Sequence, residues 1–443
     1  MIVLKFGGTS VGGAEPIQRV GKIIAGCLDR SPVIVSSAVG GVTNRLFRIV
    51  EKALADDDWK TEYDELVSVH KQILSQLKLS VDLVDSLLQE LAELVHGIAL
   101  IRECTPRTND YLVSFGERLA VRILAAHLRE AGVEATACDS FDVGLVTDSR
   151  YGAARPVEDV DDRIKKALQG VAGVPIITGY IGKDSDGNIT TLGRGGSDYS
   201  AAIFGAALDA EEIQIWTDVD GVMSADPRIV DGARFLEKLS FAEAAELAFY
   251  GAKVIHPATI IPAVRKNIPL RVLNSYRPEF QGTVIVADLD DKSRRVKSIA
   301  TKGNVCVVNI VAPPMLMQYG FIERIADVFS RHEVVIDMIA TSEVSVSMTT
   351  APSDSLWAVV EELSEFAEVS VENDMSQVSV VGEALTADVE LAGRVFGTFA
   401  KLKVRLELIS FGATRNNLSV VVSNDRLGDV VAALHSELFS QSP

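Results

Sequence analysis

Short apolar runs that stop at small or polar residues recur through roughly the first 285 residues. They read "IVLKF", "PVIVSSA", "VPIITGYI", "EIQIWTD" and "PLRVLN", and helical periodicity fills the intervals. Strands separated by helices need crossover connections, so this alternation commits the segment to a parallel-rich sheet sandwiched by helices. Between Asp58 and Arg102 the pattern is helical, with Tyr63, Leu66, Val67, His70, Ile73, Leu74 and Leu77 on one stripe. A histidine on such a stripe is expected to be a buried, structural one.

The polar, aperiodic stretch "VADLDDKSRRVKS" then interrupts the pattern and reads as a linker. Beyond it the chain repeats itself. The strand-like "NVCVVNIV" precedes a helix with Ile322, Ile325, Ala326 and Phe329 on one face. The strand-like "QVSVVGE" precedes one with Ala392, Val395, Phe396 and Phe399 so placed. Both helices lead to extended runs, "TSEVSVSM" and "NNLSVVV", so two small α+β units on one plan are expected. The expected boundaries are 1–285 for the α/β domain, 286–297 for the linker, and 298–374 and 375–443 for the repeats.

Composition narrows the partners. A formal charge of −18 disfavours nucleic acid and anionic membrane surfaces. No apolar run is long enough to span a bilayer, and three apolar residues before Lys5 are too few for a signal-peptide core, so a cytoplasmic location is expected. Cys27, Cys104, Cys138 and Cys306 are scattered, with no metal-binding or disulfide spacing. An anionic ligand must therefore meet local lysine, arginine and backbone N–H groups.

Such groups gather where the runs end. In "KFGGTS", Gly7 and Gly8 follow Lys5 at a strand end, where backbone N–H groups can approach an anion; a surface lysine beside a tight turn accounts for the same residues. "VSSAVGGVTN" repeats the pattern with Thr43 and Asn44 opening a helix. In "TTLGRGGSDYSAA", Arg194 sits among glycines and Asp198 opens a helix pattern, where it could be an N-cap. "WTDVDGVMSADPR" is a strand breaking into polar turns. In "SFAEAAELAFYGAKVIHPAT", Ser240 and Glu243 form a capping-box pattern and Gly251 stops the helix, leaving Lys253 beyond it, a position that helix-dipole stabilisation also explains. Neither GxxxxGK[ST] nor GxGxxG is present.

These five blocks, in this order, resemble the aspartokinases of the amino acid kinase family, and the tandem repeats resemble that family's paired ACT regulatory domains. The likeness covers essentially the whole chain. It implies an amino acid kinase fold followed by two ACT-type domains, and transfer of the γ-phosphoryl group of ATP to the β-carboxylate of L-aspartate. That carboxylate is already ionised at neutral pH and needs no general base, which fits the lack of a Ser/His/Asp constellation in the blocks.

By the same resemblance Lys5 and Asp198 are catalytic, Lys5 stabilising transferring charge and Asp198 orienting Lys5 or Arg194. Thr43, Glu117, Arg194, Gly195, Gly196 and Ser197 would hold aspartate; Glu117 also stands three residues after Ser114, a capping-box spacing. Lys5, Phe6, Gly7, Gly8, Ser37, Thr217, Asp218, Met223, Arg228, Lys253 and Val254 would hold ATP, whose Mg2+ would take its ligands from phosphate and water, with no dedicated protein site. Met223 stands where similar lysine-sensitive enzymes carry an aromatic residue. An allosteric L-lysine site is implied in the first repeat at Met315, Gln318, Gly320, Phe321, Ile322, Asp337, Thr341, Ser342 and Glu343, within a homodimer or larger assembly. Glutamate or acetylglutamate kinases, and a non-catalytic amino-acid sensor, are the alternatives.

Overall fold

The computed structural model describes residues 1–250, 255, 257–287, 289, 296–312, 319–412 and 415–439. They form two compact units: Met1–Val222 with Glu237–Phe241 and Val254–Asp288, and Met223–Leu236 with Ala242–Lys253 and Leu289–Pro443.

The first unit is built on ten strands: β1 (Ile2–Phe6), β2 (Pro32–Ser36), β3 (Ala135–Cys138), β4 (Val174–Thr178), β5 (Ile181–Lys183), β6 (Ile189–Thr191), β7 (Glu212–Thr217), β8 (Lys238–Ser240), β9 (Leu270–Asn274) and β10 (Thr283–Val286). Eight of them form one sheet in the order β3-β4-β2-β1-β7-β9-β10-β8, and β5 pairs with β6. From β3 to β9 every neighbour is parallel; β10 runs antiparallel to β9, and β8 at the edge lies parallel to β10. Crossover helices bury both faces, so the central strands read as continuous apolar runs.

Strand alternation then decides where Lys5 goes. Leu4 and Phe6 enter the core shared with the helices Val42–Leu54, Trp59–Gln76 and Phe115–Glu130. Lys5 points to the opposite face, towards the helix Gly196–Ala207. His70 is fully buried on its stripe, its Nδ1 2.8 Å from the Leu66 carbonyl, as a structural histidine should be.

The second unit carries β11 (Val296–Val311), β12 (Met338–Thr341), β13 (Ser345–Thr350), β14 (Glu368–Gly382), β15 (Leu408–Phe411) and β16 (Asn417–Ser423). They make one six-stranded antiparallel sheet, β12-β13-β11-β14-β16-β15. The two long central strands serve both repeats. Cys306, Val308 and Ile310 of β11 pack with the helices Phe321–Arg331 and Asp354–Ser364. Ile299, seven residues before Cys306 on the same strand, belongs instead to the core formed with Leu391–Leu402 and Leu427–Phe439. Register shifts around Lys302 and Val305 mark the changeover.

Segment 223–236 also joins this unit: the Ile299 amide donates to the Ser224 carbonyl, and Ala225 and Val230 enter the second repeat's core. The buried face of Phe321–Arg331 is Phe321, Ile325, Val328 and Phe329, whereas Ile322 and Ala326 are exposed. The expected stripe is thus rotated on the helix, because the large Phe321 ring beside Phe366 anchors the first turn. No helix among the described residues is long and apolar enough to cross a membrane.

Candidate active site

A cleft of about 720 Å³ opens at the carboxyl ends of the central parallel strands in the first unit, the edge at which open α/β sheets bind ligands. Lys5, Gly8, Ser37, Thr43, Glu117, Arg194, Gly195, Gly196, Ser197 and Asp198 all line it. Residues drawn from four separate sequence blocks therefore meet in one space.

Lys5 enters from β1. Its side chain is 10 % exposed, and Nζ lies 2.5 Å from Oδ1 of Asp198, itself 16 % exposed. Gly195, in the left-handed conformation at φ 68°, caps the helix Gly196–Ala207. Asp198 is thus the third helical residue and not the N-cap; its carboxylate is turned to the lysine. The helix Val42–Leu54 likewise begins at the cleft, after Gly41, and neither helix has a side-chain cap. Two uncapped helix amino termini and an ammonium create a positive locale in an otherwise acidic chain.

Gly8 and Gly40 bring the first two glycine turns together. A β-carbon on Gly8 would stand 3.1 Å from the Ala38 carbonyl oxygen, and one on Gly40 would stand 3.2 Å from the Gly8 oxygen. Gly7 does something else. Its N–H donates to the Trp216 carbonyl at 3.1 Å, extending the β1–β7 ladder, so the expected phosphate donation by this amide is corrected: the donor is already used. The Phe6 ring is fully buried and stacked on Trp216 at 6.0 Å, so this position offers the cleft its backbone and not its side chain.

Glu117 is buried and aimed at the loop after β2, where Oε1 accepts from the Ala38 N–H at 3.3 Å. Oε2 is buried with no hydrogen-bond partner among the described residues. Burial pushes this carboxyl up to about 8, against the opposing effect of hydrogen bonds from its own and the Ala38 amide. The capping-box alternative fails, because the Ser114 hydroxyl donates to the Tyr111 carbonyl and caps no helix. Arg194 stands exposed at the rim, in no ion pair among the described residues.

The expected nucleotide residues are more scattered. Thr217 ends β7, alongside β1 at the same sheet edge, and Asp218 follows it, accepting from the Thr217 hydroxyl at 3.2 Å. Neither lines the cleft. Met223 and Arg228 belong to the second unit; the Met223 carbonyl accepts from Ser298, and Arg228 is paired with Asp226 at 2.6 Å. Lys253 and Val254 lie outside the described residues.

The sequence reading missed Tyr180, Gly152, Asn44 and Phe47, which also line the cleft. Asn44 sits one residue beyond Thr43 in a block already identified. Gly152 and Tyr180 carry no local signal; tertiary packing brings them in.

In the second unit, Gly320 has φ 78° and opens the helix Phe321–Arg331. The Asp337 side chain is 7 % exposed and paired with Lys302 at 2.5 Å, so it is not the open acceptor expected for a ligand ammonium. Thr341, Ser342 and Glu343 are exposed at the β12–β13 turn, where the Ser342 and Ser345 hydroxyls are 2.7 Å apart. Met315 and Gln318 lie outside the described residues.

Comparison with known proteins places these features in a family. The amino acid kinase family profile matches residues 1–274, and an ACT domain profile matches 378–438. Aspartokinase 2, chloroplastic, of Arabidopsis thaliana is 38 % identical across 100 % of this chain and 85 % of its own length. Lysine-sensitive aspartokinase 3 of Escherichia coli is 35 % identical across 99 % of both chains. The crystal structure of E. coli aspartokinase III in complex with aspartate and ADP superposes with a TM-score of 0.87 at 32 % identity, covering 99 % of this chain and 100 % of that one. Its complex with lysine and aspartate gives 0.83 at 33 % identity, covering 99 % of each chain. The chain belongs to the aspartokinases of the amino acid kinase family.

Proposed function

We propose that this chain transfers the γ-phosphoryl group of ATP to the β-carboxylate of L-aspartate, giving 4-phospho-L-aspartate. The observation that carries this reading is the convergence of Lys5, paired with Asp198, with two uncapped helix amino termini, Arg194 and the buried, half-satisfied Glu117 in one cleft. Aspartate offers an ammonium for Glu117 Oε2 and an α-carboxylate for Arg194 and the Gly195–Ser197 backbone. Its β-carboxylate is then free to attack. Asp198 holds the Lys5 ammonium at the strand end, where it stabilises charge spreading over the transferring group.

ATP would enter at the same sheet edge, with Gly8, Ser37, Thr217 and Asp218 at hand and Met223, Arg228, Lys253 and Val254 assigned by resemblance. Mg2+ would come with ATP as part of the substrate, taking its ligands from phosphate oxygens and water. An ADP-release assay offering aspartate, glutamate and N-acetylglutamate tests the reading: aspartate alone should sustain turnover.

The reading extends to feedback inhibition by L-lysine at the first repeat. Its helix opens at Gly320 with no side-chain cap. At the matching place in the second repeat Asp388 accepts from the Glu390 and Leu391 amides and pairs with Arg394, so those donors are taken. With Asp337 neutralised by Lys302, the exposed Glu343 is assigned to the ligand's side-chain ammonium. Met315, Gln318, Phe321, Ile322, Thr341 and Ser342 complete the proposed site. A homodimer is the minimal unit proposed. Titrating lysine, threonine and methionine against turnover tests the effector, and sedimentation tests the assembly.

A further inference from the structure

Asp110 lies on the helix Pro106–Val113 and is 1 % exposed, yet it does not line the cleft. Its Oδ2 accepts the Gly152 N–H at 2.9 Å and the Thr191 N–H at 2.7 Å, while Oδ1 accepts the Thr191 hydroxyl at 2.9 Å. One carboxylate therefore fastens two segments remote in sequence. Gly152 is a cleft residue, and Thr191 ends β6 three residues before Arg194. The fastening is reinforced by the Ala154 amide, which donates to the Thr191 carbonyl at 2.8 Å. A β-carbon on Gly193 would lie 3.0 Å from the Gly152 oxygen, so the two loops are in close backbone contact.

The strand end that carries this threonine reaches the aromatic wall of the cleft. The Leu192 amide, next to Thr191, donates to the Tyr180 carbonyl at 2.8 Å, and the Tyr180 amide donates to the Ser200 hydroxyl at 3.0 Å. Its φ is 69°, a conformation that a bulky side chain adopts only when its surroundings over-determine it. A β-carbon on Gly196 would fall 2.6 Å from the ring, which places Tyr180 against the first turn of the helix bearing Asp198. Burying a carboxylate disfavours its ionised form, and Asp110 is shifted upward accordingly despite its three donors.

We propose that Asp110 is a positioning residue of the acceptor site, fixing through Thr191 and Gly152 the places of Arg194 and Tyr180. The inference rests on the aspartate reading above. Misplacing a substrate-reading group by about 1 Å costs up to a hundredfold. A carboxylate that only stabilised the fold would change the amount of active enzyme and leave the aspartate KM alone.

The test is a series of steady-state measurements on wild type, Asp110→Ala, Asp110→Asn, Thr191→Val and Thr191→Ser, each titrated with aspartate and with ATP. Asp110→Ala should raise the aspartate KM about ten- to a hundredfold, with the ATP KM changed far less. Asp110→Asn should restore the wild-type aspartate KM, because its oxygen can keep both amides and its NH2 can donate to the Thr191 oxygen. If Asp110→Ala does not fold, Thr191→Val decides: it should raise the aspartate KM about two- to tenfold, while Thr191→Ser should not. An unaltered aspartate KM in folded Asp110→Ala, or in Thr191→Val, overturns the inference alone. Absence of aspartate turnover in wild type overturns the acceptor reading, and this inference with it.

Discussion

The Lys5 ammonium and the Asp198 carboxylate stand 2.5 Å apart, joining the end of the first strand to the first turn of a helix 193 positions later in the chain. Each keeps the other where it is needed. Lys5→Ala should lower turnover by about 10²–10³, the range for losing one preorganised charge stabiliser, with aspartate binding nearly intact. Asp198→Asn should also act chiefly on turnover, because it frees the lysine without removing it. Single-turnover phosphoryl transfer and aspartate affinity, measured on both variants, separate these effects.

With Glu117 as the proposed partner of the substrate ammonium, aspartate binding should depend on pH. Its free-enzyme carboxyl is pushed up to about 8, whereas pairing with the substrate ammonium requires the ionised form. Binding below that value must expel a proton, so the aspartate Kd should rise about tenfold per unit as pH falls well below 8. Calorimetry in buffers of different ionisation enthalpy should register proton release on aspartate binding at pH 7. Glu117→Gln should bind weakly, with this component lost. The same shift weakens the unliganded fold as pH climbs from 4.5 towards 8, because the unfolded chain ionises this group first.

Arg194→Ala should chiefly raise the aspartate KM, removing a charge-assisted hydrogen bond worth about 1.5–3 kcal/mol, or roughly ten- to 150-fold. A rise confined to the ATP KM would assign Arg194 to the nucleotide.

What was legible in the sequence was what sits beside its own signal. Lys5, Arg194 and Asp198 lie in glycine-rich strand ends, and alternating runs expose the parallel sheet. The role of Gly7 was not legible, because the partner of its N–H, Trp216, is fixed by the β1–β7 register. Asp110 was hidden for the same reason, its partners lying 42 and 81 positions away. The repeats were visible as helical stripes, but one strand crossing from Ile299 in one core to Cys306 in the other leaves no mark in periodicity.

Glu343→Lys should keep catalysis and lose lysine inhibition, since it reverses charge at an exposed turn. A typical coupling of 1–3 kcal/mol corresponds to about 5–150-fold in affinity between states. Asp337→Ala is expected to relieve inhibition as well, by leaving the Lys302 ammonium unpaired in the same module. Lysine titrations of wild type and both variants at fixed aspartate provide the comparison.

The most direct test of the central claim is to identify the product by trapping it. With ATP, Mg2+ and L-aspartate, followed by hydroxylamine, the account predicts aspartate β-hydroxamate in a one-to-one ratio to ADP for the wild type, and near-background levels for Lys5→Ala. ADP formed without hydroxamate, or equal hydroxamate from the Lys5→Ala enzyme, would contradict it.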